Sequence, residues 1–398
     1  MAADPDYLLE EMLEQPGVFA RILAEAGAAA EATASGAPPA RVVLTGCGDS
    51  FCAAQSGVWA MRAGARAWGG WTGDALAVRP LELARARSEL LGPATWVVAI
   101  SASGRTPRVL EAVSAARAAG SRAIALTDDP TGPLARAADH ALPLLASPPE
   151  ALGSTDYADP QARRYVGYHH DVPQTKTVTA SILHAVLLAA ALAPASAPRW
   201  REALHRFPAA AERALADTAA PAGEAARAMA AAGVLVFTGS GPAYPVAQYG
   251  AFKAYEFARV GLWQETEEYC HTQYFITGRG TPVVFLAPDR LARERAAEIA
   301  PVLADRLGAC GILVTGECAD AAGCAHVLRV PDTAPPPLVP LLLYLAVQRL
   351  MHAFARAAGL STSTFRGGLD PERYVAGSCD TIRASRIVPP GELGIPGA

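Results

Sequence analysis

The chain has 398 residues, 51% of them hydrophobic, which is enough for two core-bearing domains and excludes disorder. A net charge of −4 offers no basic field, so neither nucleic acid nor an anionic membrane surface is expected as a partner. Seven cysteines without a CxxC pair or zinc-like spacing read as reduced thiols, and lysine occurs only at positions 176 and 253.

The first predicted element is a helix over residues 6–30, DYLLEEMLEQPGVFARILAEAGAAA. Its acidic start has no signal-peptide core, and a soluble, cytoplasmic protein is expected. Residues 42–54, VVLTGCGDSFCAA, then read as an apolar strand, a turn with two glycines and a small-residue helix. WVVAISASGRTPRVLEAVSAAR (96–117) and SRAIALTDDPTGPLARAAD (121–139) repeat the scheme, and ADHALPLL (138–145) adds a short strand. The run at 177–193 is apolar all round and therefore buried, in an interior or in a dimer interface. The longest apolar run, 182–195, contains His184 and is too short to span a bilayer. APASAP and amphipathic helices occupy 195–230.

At 235–247 the sequence reads LVFTGSGPAYPVA, the strand-turn-helix pattern of 42–54 repeated half a chain later. Further strand-helix segments follow at 282–306 and 312–330. Alternation of this kind gives parallel sheets covered on both faces, here two α/β/α domains.

Ligands of such sheets lie beyond the carboxyl ends of the strands. Gly46 and Gly48 permit a tight exit from the first strand and place Ser50 near a helix N-terminus, where an anion is favoured. Ser101, Ser103 and Thr106 surround a glycine on the next crossover and complete a candidate phosphate cradle. Each turn alone would pass as an ordinary N-cap. GCGDSF lacks the third glycine of a dinucleotide fingerprint, so no nicotinamide cofactor is expected.

GCGDS, SASGRT and TDDPTGPLARAADHALPL resemble the sugar isomerase (SIS) domain family. Their tandem arrangement is similar to the isomerase half of glucosamine-6-phosphate synthase and to related phosphosugar deaminases and deglycases. LLEEMLEQPGVF (8–19), PQTKTVTASIL (173–183), YGAFKAYEFA (249–258) and EEYCHTQ (267–273) extend the resemblance over nearly the whole chain. It implies two SIS domains, each a three-layer α/β/α sandwich with a flavodoxin-like parallel sheet. The expected organisation is an N-terminal helix (1–30), a phosphate-binding first domain (31–195), a helical linker (196–230), a second domain (231–360) and a tail (361–398). It further implies substrate contacts from Gly48, Ser50, Ser101, Ser103, Thr106 and Lys176. Glu256 matches the carboxylate that shuttles a proton between sugar carbons 1 and 2, with Lys253 as its companion. His271 matches the ring-opening histidine, which a neighbouring subunit can supply, so a homodimer is expected. A carboxylate that takes and returns a proton and an imidazole titrating near neutrality suit that chemistry. By spacing alone, Lys253 and Glu256 at i and i+3 also read as a plain ion pair.

The departures from the family are specific. Ala102 replaces a glutamine, Tyr249 a glutamate, and Thr272-Gln273 a Gly-Pro. No lysine follows Lys253, so the Schiff-base residue of the synthase is missing, and arginine cannot replace it. No glutamine-hydrolysing segment precedes the opening helix, and glutamine-dependent synthesis by this chain alone is not expected. Tyr168-His169-His170-Asp171 carries metal-ligand residue types, yet no metal is expected. The counterpart of SASGRT in the second half is APDR (287–290), without hydroxyls, so one phosphate site per chain is expected. The tail, with Arg366, Gly367, Gly368 and Arg373, would close over a bound phosphosugar, cross to a neighbour or simply cover a sheet. Isomerisation, deamination or deglycation of a phosphorylated sugar or amino sugar is the expected activity; the alternative is a phosphosugar sensor or regulatory subunit.

Overall fold

The computed structural model describes residues 6–147, 173, 175–317, 319–332, 334–370 and 372–395. Tyr168 to Asp171 lie outside the described residues. Two compact units emerge: one comprises Gly17–His205 with Pro371–Ala398, the other Met1–Pro16 with Arg206–Asp370. The division of the chain falls within the helix Ala197–Asp217 of the expected linker.

The first unit holds β1 (Arg41–Gly46), β2 (Asp74–Ala77), β3 (Thr95–Ile100), β4 (Arg122–Thr127) and β5 (His140–Pro143), in the order β2-β1-β3-β4-β5. The second unit holds β6 (Val234–Gly239), β7 (Val260–Gln264), β8 (Pro282–Ala287), β9 (Cys310–Gly316) and β10 (His326–Val330), in the order β10-β9-β8-β6-β7. Read from β7, that is the same 2-1-3-4-5 order, the flavodoxin-like arrangement, and every ladder is parallel.

Both sheets are covered on both faces, which explains why β3 and β8 are buried along their whole length. In the first unit Val43 and Val97 pack on the helices Pro80–Arg85 and Pro107–Ala118. Leu44 points the other way, where Gly57 of the helix Asp49–Trp68 comes so close to Leu44 and Ala185 that no Cβ would fit. The helix Lys176–Ala191, which carries Ala185, is buried on nearly every side, as its composition predicts. In the second unit Val236, Val283 and Phe285 join one core cluster with Tyr269 and with Ile299 and Leu303 of the helix Arg290–Leu307. Phe237, one residue along, meets Gly250 of the helix Tyr244–Glu256 on the opposite face. Tyr249 joins that helix edge-on to Tyr344 of the helix Val339–Ala357, with ring centroids 4.9 Å apart.

Candidate functional site

The turn after β1 is built by close packing. A Cβ on Gly46 would stand 2.8 Å from the backbone carbonyl of Ser50, and Gly48 has φ of +56°, a conformation that favours glycine. The Ser50 amide donates to the Cys47 carbonyl at 3.1 Å. Among the described residues the Ser50 hydroxyl makes no hydrogen bond, and it is half-buried at the start of the helix Asp49–Trp68.

The turn after β3 is braced from the neighbouring strand end. Thr127 Oγ1 and the Asp128 amide both donate to the Ala102 carbonyl, at 3.1 and 3.0 Å. Gly104, with φ of +65°, leaves room for Thr127 Oγ1, which a Cβ would approach to 2.8 Å. Ser101 Oγ and Thr106 Oγ1 lie 3.1 Å apart, and Ser103 Oγ accepts from the Arg105 amide at 3.3 Å. Thr106 occupies the N-cap of the helix Pro107–Ala118 without using its hydroxyl as a cap. The arrangement gathers hydroxyls at a helix start, which suits an anion with several acceptor oxygens.

Two arginines absent from the sequence-level list add positive charge. Arg79, after β2, lies 4.4 Å over the ring of Phe51, the residue after Ser50. Arg108 is ion-paired to the buried Glu111 at 2.7 Å. Arg108 and Arg79 both act on the Cys47 thiol and favour its ionised form, so both guanidiniums act electrostatically on the first turn. No short motif contains them, because they sit on different crossovers.

Lys176 is fully buried at the start of its helix. Its charge acts on Asp128, whose carboxyl burial pushes up to about 7, against the lowering effects of the Ala146 amide, Lys176 and the Ser147 hydroxyl. Lys176 is thus placed beside an internal acid that the motif analysis did not single out.

In the second unit, Lys253 Nζ donates to Glu256 Oε2 at 2.5 Å. The lysine side chain is 2% exposed and the glutamate 22% exposed. Tyr249, the residue that departs from the family pattern, places its ring 4.8 Å from the Lys253 ammonium. An aromatic face thereby supports the buried cation where the family has a carboxylate. A partly exposed acid backed by a buried ammonium is an arrangement able to exchange a proton with a ligand.

His271 ends the short helix Thr266–His271, exposed, with Nε2 3.4 Å from Glu267 Oε1. Its helix packs through Tyr269 on the same sheet face as Arg290–Leu307, whereas Lys253 and Glu256 belong to the opposite face. Within one unit the sheet therefore separates His271 from Glu256. Gln273 donates to the Trp263 carbonyl at 3.0 Å, and Phe275 and Ile276 beyond it are 81% and 60% exposed.

The turn after β6 repeats the turn after β1, with Gly239 packed on Ala243 and Gly241 at φ of +57°. Ala243 stands at the position of Ser50, and Ser240, at the position of Cys47, donates its Oγ–H to Glu265. Glu265 also accepts from the Glu267 and Glu268 amides, at 2.8 and 3.1 Å. Burial pushes the Glu265 carboxyl up, but the Ser240 hydroxyl and these amides outweigh it and hold the group below its usual range. After β8, Asp289 Oδ1 caps its own helix by accepting from the Ala292 amide at 2.9 Å. The second unit's two turns thus already carry carboxylates.

The SIS domain family matches residues 37–162, which include both hydroxyl-bearing turns. The chain carries a SIS domain over those residues. It is 27% identical over 383 residues to glutamine–fructose-6-phosphate aminotransferase [isomerizing] of Leifsonia xyli subsp. xyli, a match over 89% of this chain and 57% of that one. The SIS-domain chain thus spans little more than half the length of that relative. Among solved structures, the C-terminal domain of glucosamine-fructose-6-phosphate aminotransferase from Francisella tularensis superimposes with a TM-score of 0.74 at 18% identity, over 90% of this chain and 97% of that one. Glucosamine-6-phosphate deaminase from Thermotoga maritima gives a TM-score of 0.65 at 18% identity, over 90% and 96%. At these identities the likeness establishes the fold of both halves. Among the described residues no group of three or more His, Cys, Asp or Glu side chains could hold a metal, and no single helix is long and apolar enough to cross a membrane.

Proposed function

We propose that this SIS-domain protein is a phosphosugar-converting enzyme that moves a proton between carbons 1 and 2 of a sugar phosphate or amino-sugar phosphate. The observation that carries the reading is the partly exposed Glu256 carboxylate held 2.5 Å from the buried Lys253 ammonium. Binding alone needs no such base, which weighs against a sensor or regulatory subunit. In this reading Ser50, Ser101, Ser103 and Thr106 take the phosphate oxygens, and Gly48 shapes the turn. Glu256 removes a proton from the carbon next to the carbonyl, leaving an enediol or enolamine, and returns it to the neighbouring carbon. His271 exchanges a proton with the ring oxygen during opening.

The position of His271 supports a homodimer. The sheet keeps it from its own Glu256, and the exposed Phe275 and Ile276 beside it offer apolar surface to a second copy. Each copy would supply its histidine to the other. Relatives named as an aminotransferase and a deaminase support chemistry at carbons 1 and 2, and deglycation uses the same proton transfer.

The test is proton exchange, followed by NMR in deuterated water with fructose 6-phosphate, glucosamine 6-phosphate and phosphorylated fructosamines. Deuterium uptake at carbon 1 or 2 should fall about 100- to 10,000-fold in Glu256→Gln. Ligand binding without exchange across the panel would give the sensor reading first place. Mixing Glu256→Gln with His271→Ala should restore about a quarter of the activity if two-fold-related copies share their sites. No recovery would overturn the shared site.

A further inference from the structure

Glu111, on the helix Pro107–Ala118, is wholly buried and gathers donors from three parts of the first unit. Arg85 reaches both of its oxygens, at 2.7 and 3.1 Å. Arg108 Nη1 donates to Oε2 at 2.7 Å, and the Val388 amide joins the same oxygen at 2.7 Å from the far end of the chain. Two guanidiniums share one carboxylate, so among the described residues the cluster keeps one positive charge in surplus.

That surplus sits where a helix does not favour it. Arg108 belongs to the first helical turn, the end at which the macrodipole opposes a cation and attracts an anion. The same helix start carries Thr106, 3.1 Å from Ser101 Oγ. Arg108 is mostly buried, and its charge already reaches Cys47 in the neighbouring turn. An anion held at this helix start would offset both the surplus charge and the dipole.

The C-terminal segment keeps the guanidinium in place. Arg108 Nη2 donates to the Arg386 carbonyl, two residues before the Val388 amide that binds Glu111. Farther on, Ile395 is buried among Val43, Leu83, Val97 and Ala112. Pro389 and Pro390 restrict the backbone between these two anchors. Residues 386–395 thus form a strap on the helix layer of the first unit, fastened at Glu111 and in the core.

We infer that Arg108 is a further phosphate-binding residue, supplying the charge complement to the hydroxyls, and that Glu111 and the strap are the positioning elements that hold it there. Phosphate affinity then depends on how the C-terminus is docked. This inference rests on the reading of the Ser101–Thr106 turn as the phosphate site.

Calorimetry with inorganic phosphate and fructose 6-phosphate tests it. Arg108→Gln should weaken both about tenfold and flatten their salt dependence, and Arg108→Lys should regain part of the loss. Val388→Pro, which removes the amide from Glu111, should weaken them about threefold. By reciprocity, saturating phosphate should slow hydrogen exchange at the Val388 amide about threefold in the wild type and leave it unchanged in Arg108→Gln. An arginine that only braced the fold would move stability without moving either readout. Unchanged or tighter phosphate binding in Arg108→Gln overturns the inference. So does exchange at Val388 that ignores phosphate, and this measurement decides alone if Val388→Pro fails to fold. The two readings fail separately. If Ser101→Ala binds phosphate like the wild type, the hydroxyl cradle falls, while Arg108-dependent binding still upholds the arginine and its strap. If the wild type binds neither ligand, both are overturned.

Discussion

After β1 and after β6 the chain performs the same manoeuvre with different endings. A glycine packs against the helix that follows, a second glycine turns at φ near +56°, and a helix starts. Ser50 leaves its hydroxyl unengaged among the described residues, whereas its counterpart Ala243 has none, and Ser240, standing where the first turn has Cys47, donates to Glu265. On the next crossover, Thr106 spends no hydroxyl on its helix, while Asp289 caps its own. The same backbone turn thus carries different polar groups in the two units: hydroxyls not spent on capping in one, the Glu265 and Asp289 carboxylates in the other.

The sharpest way to break this comparison is at the shared backbone. Gly46→Ala and Gly239→Ala both force a Cβ to within 3.0 Å of a backbone carbonyl group, and each should cost about 2 kcal/mol or more in denaturant unfolding. A large loss at only one of them would mean that the two turns are not packed alike. Next in size is ligand binding: Ser101→Ala should weaken phosphosugar affinity about tenfold by calorimetry. Asp289→Ala should leave that affinity alone, yet lose about 1 kcal/mol of stability through its helix cap. Equal affinity losses at both positions would end the one-site reading.

A further test is a pH slope confined to the first unit. Asp128 is held at about 7 in the folded chain, above its unfolded value of 3.8. The unfolded chain releases that proton first, so this group withdraws stability as pH rises from about 4 to 7. Asp128→Asn should remove that contribution. Unfolding curves of variant and wild type that stay parallel across the window would refute the buried acid.

What the sequence displayed was whatever its patterns encode locally. Continuous apolar runs such as WVVAI and PVVFLA marked the central strands, and the glycines with hydroxyls marked the turns. The edge strands β2 and β7 escaped, because DALA and VGLWQ are short and only partly buried and carry no such run. Arg79 and Arg108 escaped because each reaches the first turn from another crossover. Likewise Glu265 lies 25 residues from the serine it satisfies. The separation of His271 from Glu256 could not be read from spacing, since it depends on which face of the sheet each returning segment covers.

The chain's only two lysines, Lys176 and Lys253, are both buried. Its exposed side-chain cations are therefore guanidiniums, which stay charged across the physiological range. Open-chain sugar phosphates glycate accessible ε-amines. If the proposed function holds, a chain that presents no lysine amine at its surface is poorly placed to become a victim of its own substrate.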